Sequence, residues 1–166
     1  MTRTNVLLML LAFATTAAMA QKPMASPPGK AEGKIDGISV VVDYHQPSAR
    51  GRKIMGGLVP YGEVWRTGAN ETTSIELGAD AKIEGKPIAK GKYALFTIPG
   101  ENEWTIIINK SIKWGSASYD EKDDVLRVKV KPGKTDGFVE TFNIAVTGNK
   151  VAMKWENTQV AFTISK

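Results

Sequence analysis

The side chains best suited to chemistry are concentrated in one stretch of the sequence, residues 50–71 (RGRKIMGGLVPYGEVWRTGANE). The stretch mixes cations, carboxylates and aromatic rings with five glycines, a composition that neither a regular strand nor a helix favours. A loop of this kind combines backbone freedom with charge and aromatic surface, as binding loops do. The candidate ligand-binding residues here are Arg50, Arg52, Trp65, Arg66, Asn70 and Glu71.

Arginine next to tryptophan is an effective binder of anions, because the planar guanidinium holds a carboxylate or phosphate through two parallel hydrogen bonds. We therefore predict a pocket for a small polar or anionic ligand, a glycan among them. A second irregular stretch, residues 114–124, would add aromatic surface from Trp114 and Tyr119. We expect the two stretches to be neighbours in the fold.

Two other interpretations of residues 50–71 stay open. Glu63 and Glu71 flank Trp65, and two carboxyl groups several ångströms apart can act as acid and base on a sugar. His45 is another candidate general base for a hydrolase. Alternatively, each carboxylate pairs with a nearby arginine, and the loop is structural and takes no ligand. We favour binding, because arginine, asparagine and tryptophan bind more readily than they react.

Several kinds of site are excluded by composition. The chain has no cysteine and a single histidine, so neither a disulfide nor a zinc site of the usual kind is expected. No Gly-x-Ser-x-Gly motif supports a serine triad. The acidic residues at 120–124 lack the spacing and glycine of a calcium loop, which favours a solvated turn. We predict no metal and no cofactor.

The formal net charge is +5, and the lysines are scattered rather than grouped in a dense basic run. This pattern is typical of a solvated basic surface, so we predict no nucleic-acid partner.

The N-terminus has the pattern of a cleavable signal peptide. Residues 1–20 carry Arg3 as their only charge, then an apolar run, and they end in Ala18-Met19-Ala20. We expect cleavage after Ala20, a periplasmic or secreted protein, and no membrane span in the mature chain. Residues 21–33 are rich in proline, glycine and lysine without an apolar period, which predicts a flexible leader.

Residues 34–166 predict a single all-β domain. Three segments have the pattern of strands with one apolar face, by clear alternation in two of them and by β-branched composition in the first. Two nearly continuous apolar runs are joined by a proline-glycine turn, which indicates a central hairpin covered on both faces. The β-branched segment is 38–44, the alternating segments are 125–131 and 138–147, the apolar runs are 93–98 and 104–109, and further turns are expected at 148–149 and 156–157. Trp104 and Trp155 occupy core positions in this pattern.

Such a chain must protect its edge strands by stacking two sheets or by closing a barrel. We predict an antiparallel two-sheet sandwich of jelly-roll type, with a β-barrel as the alternative. A sandwich is favoured because one long irregular loop, residues 46–71, and unequal strand lengths suit two sheets better than an even barrel.

Several sequence words also support a family resemblance. LVPYG at residues 58–62, WRTGANE at 65–71, YALF at 93–96, Trp104 and Trp114-Gly115 resemble the exported bacterial family known as domain of unknown function 2911. The resemblance covers nearly the whole mature chain. It implies export, but no activity, substrate or cofactor.

Overall fold

The computed structural model describes residues 25–113 and 119–166. In these ranges the chain forms ten strands and a short 3₁₀ helix, Glu121–Asp123. The strands are β1 Pro28–Ile35, β2 Ile38–His45, β3 Ser74–Leu77, β4 Ala81–Ile83, β5 Lys86–Ile88, β6 Gly91–Ile98, β7 Trp104–Asn109, β8 Asp124–Val130, β9 Gly133–Thr147 and β10 Lys150–Ser165.

The strands form two antiparallel sheets. The six-stranded sheet has the order β1-β2-β3-β6-β7-β8, and the four-stranded sheet has the order β5-β4-β10-β9. The sheets do not close into a barrel, so the predicted two-sheet sandwich is confirmed and the barrel alternative is wrong. The long loop, residues 46–71, lies between β2 and β3 in the chain and forms isolated bridges to both sheets, from Ser48 to Thr141 of β9 and from Trp65 to Thr97 of β6.

Strand β10 reverses direction within its length. Its 16 residues would extend about 50 Å if straight, yet the backbone N–H of Ile164 donates to the carbonyl of Asn149 at 2.8 Å. Glu156 has a φ of 55°, in the left-handed region that suits a tight turn. The two arms of β10 therefore run back beside each other, and the turn predicted at residues 156–157 is present.

The core between the sheets follows the alternation read from the sequence. Leu126, Val128 and Val130 of β8 point inward and are buried. Trp104 and Trp155 are each only 2% exposed, which confirms their predicted core positions. Hydrophobic burial on this scale is the main favourable contribution to the free energy of folding.

The central β6–β7 hairpin is buried on both faces, as predicted. One face packs into the main core, and the other forms a small cluster of Ala94, Phe96 and Ile107. Val64 from the long loop and Tyr119 pack against this second cluster. The long loop and the segment that contains Tyr119 thus approach the same surface of the hairpin.

The predicted leader is wrong for residues 28–33. These residues lie in β1, which pairs with β2 from Pro28 opposite His45 to Ile35 opposite Ile38. The segment lacks an apolar period because an edge strand can be held by backbone hydrogen bonds and a few buried side chains such as Ala31. The predicted signal peptide, residues 1–20, lies outside the described residues.

The aromatic core should dominate stability, and two phenylalanines of β9 allow a matched test. Phe142 is 1% exposed, whereas Phe138 is 57% exposed. Phe142→Ala should lower the free energy of unfolding by about 3–5 kcal/mol because it leaves a cavity. Phe138→Ala should change it by less than about 0.5 kcal/mol. Urea denaturation checks both values, and equal effects would contradict the described core.

Candidate functional site

The long loop is irregular in backbone but firmly packed. Its residues Ile54, Met55 and Val59 are between 0% and 5% exposed and belong to the main core. Reverse turns bond Gly57 and Val59 back to the carbonyl of Ile54 at 3.1 and 2.9 Å. The loop is therefore an ordered part of the sandwich and contributes side chains to its core.

Two carboxylates on distant strands hold the backbone of the loop. Glu140 Oε1, on β9, accepts from the backbone N–H of Arg50 at 2.7 Å. The carboxylate of Glu156, at the reversal of β10, accepts from the N–H groups of Ile54 and Met55 at 3.3 and 3.4 Å. Neither role could be predicted from the sequence, because both glutamates lie at least 90 residues from the loop positions they hold.

Trp65 joins the loop to the aromatic core. Its ring stacks on Trp155 with centroids 5.9 Å apart and meets Phe142 and Trp104 edge-on at 5.1 and 6.4 Å. Its indole N–H donates to the carbonyl of Gly68 at 3.1 Å. Only part of the Trp65 side chain remains accessible, so this predicted ligand-binding residue forms a wall of the candidate site.

A cavity of about 340 Å³, which we call the loop pocket, lies between the loop and the sandwich. Arg52, Trp65 and Arg66 line it, so three of the predicted residues meet there, and Glu63 adds a carboxylate. Its apolar wall comes from Leu58, Val59, Pro60, Val64 and Trp155. Two guanidinium groups against one carboxylate leave the pocket with an excess of positive charge.

The backbone orients Arg52 at this pocket. Its Nε donates to the carbonyl of Ala49 at 3.0 Å, and its Nη2 donates to the carbonyl of Ser48 at 2.8 Å. A guanidinium has five N–H donors, so three remain beyond these two bonds. Because the first two fix the plane of the group, the remaining donors are held in a constant orientation.

Arg50 and Asn70 do not line the loop pocket. Arg50 Nη2 donates to the carbonyl of Ala25 at 3.0 Å, and Asn70 Nδ2 donates to the carbonyl of Ser26 at 3.1 Å. Both side chains tie the segment before β1 to the loop. Ser26 lines the pocket and Ala25 does not, so Asn70 contacts the site indirectly, through Ser26, and the contact of Arg50 lies outside it.

Glu71 lies at a different surface. Together with His45 it lines an open groove of about 480 Å³ across β1, β2, β3 and β6. Lys92 and Asp43, which form an ion pair at 3.3 Å, line the same groove. Glu63 and Glu71 therefore do not share a cavity, which is unfavourable for the acid and base pair of a glycoside hydrolase.

Tyr119 lines neither the loop pocket nor the groove that contains Glu71. Its hydroxyl donates to Asp124 Oδ2 at 2.7 Å and accepts from Arg127 Nη2, while Arg127 Nε donates to the same carboxylate oxygen at 2.6 Å. Its ring packs edge-on against Phe96 at 5.1 Å. Burial, and then the hydrogen bond to Asp124, raise the pKa of Tyr119 to about 12. Trp114, the remaining predicted residue, lies outside the described residues.

The acidic stretch at 120–124 makes local contacts. Asp120 Oδ1 accepts from the N–H of Lys122 at the start of the 3₁₀ helix, and Asp123 pairs with Lys110 at 3.5 Å. Across the ranges 25–113 and 119–166, no group of three or more His, Cys, Asp or Glu side chains is placed to hold a metal ion.

The protein is therefore a two-sheet β-sandwich in which the long loop and the sandwich together form the loop pocket. The chain belongs to the family described as protein of unknown function (DUF2911), whose model matches residues 26–164. No curated protein and no solved structure matches the chain. The part of the chain that the structure describes contains no helix with the length and apolar character of a membrane span.

The raised pKa of Tyr119 predicts a pH effect on stability. In the folded protein the pKa of Tyr119 is above the ordinary value of about 10. The contribution of its protonated hydroxyl to the free energy of unfolding is therefore complete below pH 10 and is lost as pH rises towards 12. The ultraviolet absorbance of tyrosinate should show a phenol titrating near pH 12, and Tyr119→Phe should remove it. Persistence of the late titration in Tyr119→Phe would contradict the assignment.

The role of Glu156 in holding the loop is also testable. Glu156→Gln replaces one carboxylate oxygen with an amide nitrogen, so one of the N–H groups of Ile54 and Met55 loses its acceptor. A hydrogen bond to a charged group contributes about 1.5–3 kcal/mol, so amide hydrogen exchange at these residues should quicken roughly tenfold or more. Glu101→Gln, an exposed control on the β6–β7 turn, should leave this exchange unchanged.

Proposed function

We propose that this protein is a binding module that holds a small anionic ligand in the loop pocket. The observation that carries the proposal is the convergence of Arg52 and Arg66 with Trp65 on one cavity of about 340 Å³. Ligand sites of proteins range from about 300 to 1,000 Å³. The loop pocket is therefore at the small end, where a monosaccharide or a single-ring acid fits.

The lining suggests the chemistry of the ligand. A guanidinium binds a carboxylate or phosphate well, and the apolar wall beside it favours a ligand with a ring or a short hydrocarbon part. Glu63 can accept a hydrogen bond from a hydroxyl or amine of the same ligand. A sugar acid and an aromatic acid both have this combination of groups.

The two alternatives have less support. A hydrolase using Glu63 with Glu71 would need both carboxyl groups at one substrate, whereas they line separate cavities. A purely structural role of the loop would explain why Ile54 is buried and why Glu140 and Glu156 accept hydrogen bonds from the loop backbone. It would not require two arginines at a concave surface. Export to the periplasm or beyond, expected from residues 1–20, is also part of the proposal.

Binding can be measured with glucuronate and benzoate as probes, and with glucose and benzyl alcohol as their uncharged counterparts. Tryptophan fluorescence should report an acid, because Trp65 and Trp155 line the pocket. At least one acid should bind more tightly than its neutral counterpart. Arg52→Gln and Arg66→Gln should each weaken that binding about ten- to hundredfold, since each removes a charged hydrogen-bond donor group.

Arg50→Gln is the matched control for this experiment. It removes the same charge from the same loop, but its guanidinium bonds to Ala25 outside the pocket. We expect its affinity to equal that of the wild type. Equal losses in all three arginine variants, or no preference for either acid over its neutral counterpart, would overturn the proposal. Thermal melting of each variant separates loss of binding from loss of fold.

A further inference from the structure

The outer face of the four-stranded sheet carries a second concave surface, unconnected with the loop pocket. This surface, which we call the lysine groove, has a volume of about 560 Å³, and none of the described residues lines both it and the loop pocket. Its floor includes Ala145, Ala152 and Ala161, and its rim includes Lys131, Lys150 and Lys154.

The floor of the groove results from strand register. Ala145 lies opposite Ala152 in the β9–β10 ladder. The reversal of β10 near Glu156 brings Ala161 to the other side of Ala152, because the arms of β10 run antiparallel beside each other. Three methyl groups in a row leave a depression where larger side chains would fill the surface.

The rim of the groove is strongly basic. Lys150 and Lys154 both point outward from β10 and lie about 13 Å apart along the strand. Lys131 reaches the groove from the end of β8. The lining contains no aspartate or glutamate, and within the described residues none of the three lysines takes part in an ion pair. Their positive charges are therefore left to attract a partner.

We propose that the lysine groove binds an acidic, extended peptide segment of a partner protein. Lysine is a compact point charge that attracts carboxylates without requiring a fixed geometry. Among the described residues, no aromatic side chain lines the groove, which disfavours sugar rings and unpaired nucleic-acid bases, since both are held by stacking. A concave floor is also a poor match for the flat surface of a membrane. Carboxylates spaced along an extended chain fit both the rim and the narrow floor.

A labelled octaglutamate peptide is the probe for this proposal, with octaglutamine as its uncharged counterpart. Fluorescence anisotropy should show that the wild type binds octaglutamate and not octaglutamine, and that added salt weakens the binding. The triple variant K131Q/K150Q/K154Q should bind octaglutamate about tenfold more weakly. Binding of benzoate or glucuronate in the loop pocket should not change in this variant.

The control is a second triple variant, K34Q/K90Q/K113Q, which removes three exposed lysines from other surfaces and has the same net charge. It should keep wild-type affinity for octaglutamate. Equal weakening by both triples would show that only the overall charge matters and would overturn the proposal. Tighter binding of dextran sulfate, single-stranded DNA or anionic lipid vesicles that depends on Lys131, Lys150 and Lys154 would overturn it in favour of that ligand.

Discussion

The stacking of Trp65 on Trp155 is the contact on which the arrangement of the site depends. Trp65 comes from the long loop and Trp155 from the four-stranded sheet, and their ring centroids lie 5.9 Å apart. Phe142 and Trp104 meet Trp65 edge-on, so one loop residue contacts aromatic side chains from both sheets. Aromatic contacts of this kind contribute beyond the burial of apolar surface. They anchor the loop to both sheets and set one wall of the loop pocket.

Once the loop is anchored there, its polar backbone must find partners. Buried N–H groups are costly unless they are bonded, and Glu156 of β10 accepts from those of the buried residues Ile54 and Met55. Glu140 of β9 accepts from the exposed N–H of Arg50. With its backbone held in this way, the loop can present Arg52 and Arg66 at the pocket. The same reversal of β10 that positions Glu156 also builds the floor of the lysine groove. One irregularity in a single strand thus contributes to two surfaces of the molecule.

The elements predicted best are those whose local pattern and tertiary environment agree. In β8 the alternation places Leu126, Val128 and Val130 inside, and they are buried. The prediction of a flexible leader was wrong for the residues that lie in β1. An edge strand such as Pro28–Ile35 is held largely by backbone pairing, which does not require an alternating pattern of side chains. Of the predicted ligand-binding residues, Arg52, Trp65 and Arg66 line one cavity, whereas Glu71 and Tyr119 lie elsewhere. Side chains that are close in sequence can point to opposite faces of a loop, and the composition of the loop does not specify which way each side chain points.

The sequence by itself determined the all-β class, the position of the long loop, the buried tryptophans and the absence of cysteine chemistry. These follow from local alternation, turn residues and composition, which need no knowledge of distant contacts. Only the tertiary structure decided which loop residues share a cavity, which glutamates hold the loop, and that scattered lysines gather on one outer face. Each of these depends on strand register and on the reversal of β10, where residues far apart in the chain become neighbours.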